Sequence, residues 1–112
     1  MAFVIKALGK GSLTVAGTAD LYTVPDPKSA LVTSVRVVNN STVNAATLNL
    51  YVKASGGATT ARRLVKQNYV AGVGGMLLME DVVTLGKGDK IQVNVSGTSP
   101  DLGYLVNGLE RD

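Results

Sequence analysis

The chain has 112 residues, which is the usual size of one domain with one hydrophobic core. It contains no histidine and no cysteine, so the ordinary zinc and iron–sulfur ligand sets, disulfides, and imidazole or thiol catalysis are all excluded. A hydrophobic share of 46% predicts that the chain folds, and a dispersed net charge of +3 makes nucleic acid an unfavoured partner.

The first segment of the chain, residues 2–8, is predicted to be a strand. It has no positively charged residues before its apolar run, as a signal peptide would, and the run is too short to span a membrane. No membrane is therefore expected as a partner. Both of its faces are apolar apart from Lys6, and Gly9-Lys10-Gly11 follows it as a predicted turn. Residues 1–10 are therefore either an arm that adds to a neighbouring subunit or an edge strand of the same chain.

The middle and the end of the chain alternate between apolar and polar residues. Residues 30–38, 45–54 and 89–96 show this period of two most clearly, and clusters of Gly, Pro, Asn and Ser separate the apolar runs. No segment keeps the apolar spacing of a helix. Strands are predicted at residues 2–8, 12–16, 20–24, 30–38, 45–54, 61–66, 76–84, 89–96 and 102–109.

Many short strands with regular turns predict an all-β fold, namely a single antiparallel β-sandwich of jelly-roll type with eight or nine strands that spans residues 1–112. With five aromatic residues in the chain, the core must be filled by Val, Leu, Ile and Ala.

Three segments invite a chemical interpretation that their context does not support. Glu80 and Asp81 are adjacent on a strand pattern, so their side chains face opposite ways and do not converge on one atom. The glycines at 72–75 and 86–88 lie between strands and lack the helix that a phosphate-binding loop requires. We therefore predict no catalytic residue, no cofactor and no metal site, and the protein is not expected to be an enzyme.

Three groups of residues are candidates for an interface with other subunits. The run Met76–Met79 alternates across a strand, so it either exposes large apolar side chains to a partner or forms a doubly buried central strand. Arg62, Arg63 and Lys66, with Lys53, form either a patch for an acidic partner or a solvated edge strand. The complete set of predicted interface residues is Phe3, Val4, Ile5, Arg62, Arg63, Lys66, Met76, Leu77, Leu78 and Met79.

Three short motifs carry a resemblance to a known class of protein. Tyr22-Thr23-Val24-Pro25 leads through a turn with Lys28 into an apolar strand that ends in Asn39. Gly88-Asp89-Lys90-Ile91-Gln92-Val93 and Gly108-Leu109-Glu110 follow later. In this order the motifs resemble the small β-rich structural proteins of tailed bacteriophages. The segment at 72–79 departs from the pattern, because a plainly alternating stretch is expected there.

The resemblance implies a virion protein, assembled in the host cytoplasm, that acts by burying surface rather than by chemistry. The first expectation is a capsid decoration (cement) protein that binds the major capsid protein or other virion subunits, as a homodimer or homotrimer. The alternatives are a tail, baseplate or connector subunit, and a carbohydrate- or receptor-binding module. The last would need clustered aromatic residues, whereas Tyr22, Tyr51, Tyr69 and Tyr104 are spread over separate segments.

Overall fold

The computed structural model describes residues 3–54, 62–65 and 67–111. These residues form strands and no helix. The strands are β1 (Phe3–Leu13), β2 (Gly17–Thr23), β3 (Ser29–Asn39), β4 (Ala46–Lys53), β5 (Arg62–Arg63), β6 (Tyr69–Ala71), β7 (Met76–Met79), β8 (Val83–Leu85), β9 (Lys90–Ser96) and β10 (Leu102–Arg111).

The strands form two five-stranded antiparallel sheets. In sheet A the order is β1-β10-β3, and both β7 and β8 pair with β3; in sheet B the order is β2-β9-β4, and both β5 and β6 pair with β4. The first strand thus pairs with the last and the second with the ninth. The predicted all-β antiparallel sandwich is confirmed.

The core lies between the two sheets and is almost entirely aliphatic. Alternate residues of each strand point inwards, so the period of two in the sequence becomes the burial pattern of the strand. Tyr22 is the aromatic residue in the buried core cluster. The largest fully buried side chains, besides Asn39, are Leu48, Leu50, Leu77, Ile91, Leu102, Val24, Val32, Val35, Val37, Val93 and Val106.

Several strands differ from the predicted ones: β6 (Tyr69–Ala71) lies outside every predicted strand, β2 begins at Gly17, and two larger differences change the number of strands. The predicted strand 76–84 is two strands, β7 and β8, which pair with successive parts of β3. The predicted strands 2–8 and 12–16 are joined in one strand, β1, because Gly9 lies at a bulge where the register with β10 shifts between Ala7 and Gly9. The predicted turn at Gly9-Lys10-Gly11 is therefore wrong.

A close approach between the two sheets explains why position 9 is a glycine. A Cβ atom added there would overlap the carbonyl oxygen of Leu21 in β2. A similar close approach occurs within sheet A at Gly108, where an added Cβ would overlap the carbonyl oxygen of Leu31 in the neighbouring strand β3, beside a second bulge. Both positions require glycine for space rather than for a turn.

Gly9→Ala should therefore destabilise the protein. The new methyl group must push β1 away from β2, which costs about 1–3 kcal/mol in comparable overpacked sites. Gly72→Ala is the matched control, since nothing lies within 4 Å of its added Cβ. Urea unfolding should show a clear loss for Gly9→Ala and almost none for Gly72→Ala, and equal losses would contradict the steric explanation.

Candidate interaction surfaces

The apolar run Met76–Met79 is the strand β7, on the side of sheet A opposite to β1. Leu77 and Met79 point into the core, whereas Met76 and Leu78 are 46% and 40% exposed. The alternative of a doubly buried central strand is therefore wrong.

Only half of this predicted interface run can present side chains to a partner. Leu77 and Met79 are removed from the candidates, because alternate strand residues face opposite sides and theirs is the core side. Met76 and Leu78 stand opposite Val38 and Arg36 of β3, on the outer face of sheet A. Their role in an interface stays a prediction.

The predicted N-terminal interface residues belong to β1. Phe3, Val4 and Ile5 pair in register with the last strand, opposite Arg111, Glu110 and Leu109. The backbone is thus the edge strand of this chain's own sheet, which is the intramolecular alternative. The side chains of these three residues lie outside the described part of the structure, so their predicted role in an interface is not tested.

The predicted basic patch lies where β4 ends. Arg62 and Arg63 form β5 and pair with Val52 and Tyr51. Their side chains, like Lys66 as a whole, lie outside the described residues. The pairing places β5 on the side of sheet B opposite to β2.

The end of the sandwich that contains the loops 24–28 and 86–89 gathers most of the described basic side chains, and we call it the basic end. Lys28, Lys53, Lys87, Lys90 and Arg111 lie on its loops and strand ends. The acidic residues Asp20, Asp26 and Asp89 lie among them. Because the antiparallel strands bring the chain back to this end repeatedly, residues far apart in sequence come together here.

Asp20 organises part of this end on the outer face of sheet B. Its carboxylate accepts a 2.6 Å hydrogen bond from Gln92 Nε2 and forms a 3.0 Å ion pair with Lys90 Nζ. The hydrogen bond from Gln92 holds the pKa of the Asp20 carboxyl below its usual range; partial burial opposes this effect, and Lys90 adds to it. These contacts favour the charged carboxylate, which links β2 to the side chains of Gln92 and Lys90 in β9.

The opposite end, which we call the loop end, consists of the loops 14–16, 40–45, 72–75 and 97–101. Asp101 is the one charged residue in these four segments. Three of the loops expose a valine: Val15 and Val43 are each 77% exposed and Val73 is 53% exposed. These valines were not among the predicted interface residues, although a lone valine within a turn of small and polar residues was the available signal.

Asn39 fixes two of the three valine loops. It is the last residue of β3 and is buried, and its Nδ2 donates to the carbonyl oxygens of Asn44 at 2.9 Å, Ala71 at 3.0 Å and Gly72 at 3.2 Å. Its Oδ1 accepts a 3.0 Å hydrogen bond from the backbone N–H of Ser41. One amide side chain therefore ties the loop of Val43 to the loop of Val73.

The motifs that carried the family resemblance meet inside the molecule, at the basic end. The hydroxyl of Tyr22 in β2 donates a 2.5 Å hydrogen bond to Oε2 of Glu110 in β10, and both side chains are buried. Nearby, the N–H of Val24 donates to Asp89 O and the N–H of Gly88 donates to Val24 O, each at 3.0 Å. The bond between Tyr22 and Glu110 joins the two sheets, whereas the bonds of Val24 extend the pairing of β2 with β9 within sheet B.

The surroundings of Tyr22 change its acidity. Burial raises the pKa of the Tyr22 hydroxyl far above its usual range, and the hydrogen bond to Glu110 and the charge of that carboxylate raise it further. In the unfolded chain the same hydroxyl has the ordinary tyrosine pKa of 10.0. Folding therefore retains a proton that the unfolded chain loses in alkaline solution.

Two depressions lined by described residues lie at or below the lower end of the size range of ligand sites. One of about 170 Å³ lies between Leu31, Leu85 and Leu109, and another of about 290 Å³ lies along residues 12–19. Sites for drug-sized molecules usually measure roughly 300–1,000 Å³. Among the described residues no group of three acidic side chains could hold a metal ion, and no helix is long and apolar enough to cross a membrane.

Comparison with known proteins relates this fold to virus particles. No protein-family model and no curated protein sequence matches the chain. A chain in the acid-stable capsid structure of Helicobacter pylori bacteriophage KHP30 superposes with a TM-score of 0.59 at 13% identity, covering 99% of this chain and 98% of that one. The fold is one that virus capsids use.

Chains of infectious bursal disease virus particles contain a similar fold within a longer chain. A chain of the T13 particle of infectious bursal disease virus superposes with a TM-score of 0.56 at 10% identity, and a chain of the Gx strain of that virus with a TM-score of 0.52 at 10% identity. Each alignment covers 97% of this chain but only 30% and 31% of those chains. The chain thus spans about a third of their length.

Asn39→Ala should cost about 2–4 kcal/mol of unfolding free energy, because it removes several hydrogen bonds at once and leaves buried carbonyl groups without a donor. Asn107→Ala is the control, since Asn107 is less buried and its Nδ2 makes one 3.2 Å hydrogen bond, to Ser34 Oγ. Denaturant unfolding should separate the two variants clearly. A similar loss in both would show that the Asn39 network has no special weight.

The Tyr22 hydroxyl should make the protein sensitive to alkali. Its stabilising contribution is complete below pH 10.0, its ordinary pKa, and declines above it, with a slope that approaches about 1.4 kcal/mol per pH unit. Tyr22→Phe should flatten this decline relative to the wild type, although it lowers stability at neutral pH. Tyr69→Phe, which retains Tyr22, should leave the decline unchanged; the measurement is unfolding free energy between pH 8 and 11.

Proposed function

We propose that this protein is a capsid decoration (cement) protein of a tailed bacteriophage, which clamps adjacent major capsid subunits and performs no chemical reaction. The observation that carries the proposal is the mutual coverage of the KHP30 alignment, 99% of this chain and 98% of the other. A whole small chain, rather than one domain of a large one, therefore has this fold within a phage capsid structure.

The surface of the molecule supports a role in binding proteins. The described depressions are small, whereas several large apolar side chains are exposed, among them Val15, Val43, Met76 and Leu78. Exposed apolar groups that come together on one part of a small domain are typical of contact surfaces. The flexible Met76 side chain also tolerates imperfect complementarity with a partner.

A clamp of this kind works by burying surface against two neighbours at once. We expect the contacts to involve Met76 and Leu78 on the outer face of sheet A, together with the predicted residues Phe3, Val4 and Ile5 of β1. Arg62, Arg63 and Lys66 would meet acidic groups of a neighbour. In a homodimer or homotrimer, every subunit would bind the particle at the same time. The overall affinity for the particle would then be high even if the affinity of each single contact is low.

The binding of a carbohydrate or receptor receives less support. Tyr22 and Tyr51 are buried, and Tyr69 and Tyr104 are half-buried on different strands. The described tyrosines therefore do not form the exposed aromatic platform that a sugar site would need.

The location of the protein in the particle tests the proposal. Purified protein is added to expanded heads that lack it and, in parallel, to isolated tails, and binding is measured by co-sedimentation and by cryo-electron microscopy. We expect saturable binding to heads, with density that repeats over the outer shell. Binding to tails alone would contradict the proposal and would favour a tail, baseplate or connector subunit.

A further inference from the structure

The edges of the two sheets differ in length. β1 is one edge of sheet A and has 11 residues, whereas the opposite edge of that sheet consists of β7 and β8, with 4 and 3 residues. In sheet B the edges are β2, with 7 residues, and the pair β5 and β6, with 2 and 3 residues. Very short edge strands offer little for an added strand to pair with. β1 is therefore the longest edge of the described structure on which a further strand could form a ladder.

One side of the β1 backbone has no strand beside it. Among the described residues, β1 pairs with β10 alone, and no backbone hydrogen bond outside the ladders involves residues 3–13. The N–H and C=O groups that point away from β10 can therefore pair with an added strand. Residues 3–7 contain no proline and one charged residue, Lys6. Little in this half of β1 opposes such pairing.

The bulge in the middle of β1 limits how far the pairing can extend. Two copies of β1 that overlapped along their whole length in antiparallel order would bring Phe3 opposite Leu13. Phe3 pairs with the exposed residue Arg111, at an outer-face position of sheet A, whereas Leu13 packs against the core, so the two positions belong to different faces. Directly paired residues share a face. Pairing confined to residues 3–7, before the bulge, avoids this conflict.

The first half of β1 is complementary to itself when two copies run antiparallel. With a two-fold axis at Ile5, this residue stands opposite the same residue of the second copy. Phe3 then stands opposite Ala7, so the outer-face positions are apolar in every pair of this register. Val4 stands opposite Lys6, so no two like charges face each other. The sequence of this half therefore fits a second copy of the chain as the strand that covers it.

An apolar row on the outer face of sheet A leads to the same position. Leu109 stands opposite Ile5 in β1 and opposite Leu31 in β3, and both leucines are half-buried. The depression of about 170 Å³ lies beside these two leucines. In the paired arrangement the rows of the two copies meet at the axis and form one apolar row. Its burial adds a hydrophobic contribution to the backbone hydrogen bonds of the new ladder.

We infer that the protein forms a two-fold symmetric dimer in which residues 3–7 of β1 pair with the same residues of a second copy, so that the two A sheets become one continuous sheet. A ring of three subunits would need two different edges for strand pairing, and the other edge of sheet A is made of short strands. The paired segment is only roughly 17 Å long, so we expect a weak dimer in solution.

This dimer narrows the proposed function, which allows a homodimer or a homotrimer. It assigns the predicted interface residues Phe3, Val4 and Ile5 to the contact between copies. Met76 and Leu78, which are exposed near the other edge of sheet A, stay available for contacts with the particle. The pairing itself depends on the edge of the sheet and not on the decoration role.

Charges placed at position 5 test the pairing, because the axis puts this residue opposite itself. Two cations would face each other in Ile5→Lys and two anions in Ile5→Glu, whereas an equimolar mixture of the variants would pair opposite charges. Val82→Lys is the matched control, since Val82 is 64% exposed and lies between β7 and β8, on the other side of sheet A. Sedimentation velocity over a range of protein concentrations measures the association.

We expect the wild type and Val82→Lys to show the same concentration-dependent dimerisation. Each Ile5 variant alone should associate at least about tenfold more weakly, and the mixture should dimerise again. A wild type that stays monomeric or forms trimers overturns the inference, and so do folded Ile5 variants that dimerise as well as the wild type. Head binding is a separate measurement: a monomer that still binds heads contradicts the pairing and leaves the decoration role intact.

A cysteine at the axis detects even a weak dimer, and its result decides the question if the charged variants fail to fold. The chain contains no cysteine, and directly opposite residues of antiparallel strands have Cα atoms about 4.5–5.5 Å apart, which suits a disulfide. Ile5→Cys should form a disulfide-linked dimer under mild oxidation. Ser12→Cys, exposed on the same strand but outside the paired segment, should not. Equal cross-linking of both variants, or none in Ile5→Cys, would contradict the pairing.

Discussion

A hydrogen bond between Tyr22 and Glu110 crosses the interior of the sandwich and joins an edge strand of sheet B to an inner strand of sheet A. A buried carboxylate is strongly unfavourable unless it is hydrogen-bonded, and Tyr22 of β2 donates such a bond to Glu110. Gly108 precedes Glu110 on the same face of β10 and leaves room for the carbonyl of Leu31. Two nearby positions of β10 therefore join it to β2 across the sandwich and allow its close approach to β3 within sheet A.

The sequence predicts the regular part of the fold well because that part depends on local periodicity. The alternation of Ile91, Val93 and Val95 with polar residues places β9 within about one residue of its observed bounds. The glycine at position 9 was not interpreted correctly, because a turn and a bulge have the same local sequence signature. The feature that distinguishes them is the approach of Leu21 from another sheet, which has no local signature.

The candidate interaction surfaces also depend on contacts between distant parts of the chain, which the local sequence does not reveal. Alternation predicts that half of the run Met76–Met79 is exposed, but only the sheet order shows that β7 lies beside a single neighbour, β3. The division of the molecule into a basic end and a loop end was not predictable from spacing either. The basic residues of the protein are spread from Lys6 to Arg111 along the chain, and the order of the strands in the two sheets, rather than any motif, brings those of the basic end together.

The ladder between β1 and β10 has a further consequence for the connectivity of the chain. Phe3 stands opposite Arg111, so the two outermost described positions are antiparallel neighbours at the basic end. A short reverse turn between them would convert β10 and β1 into a hairpin without moving either strand. The chain could then be opened in the exposed loop 86–89, and a circularly permuted protein would keep every strand neighbour and the whole core. The order in which the strands are covalently joined is thus less important to this architecture than the order in which they pair.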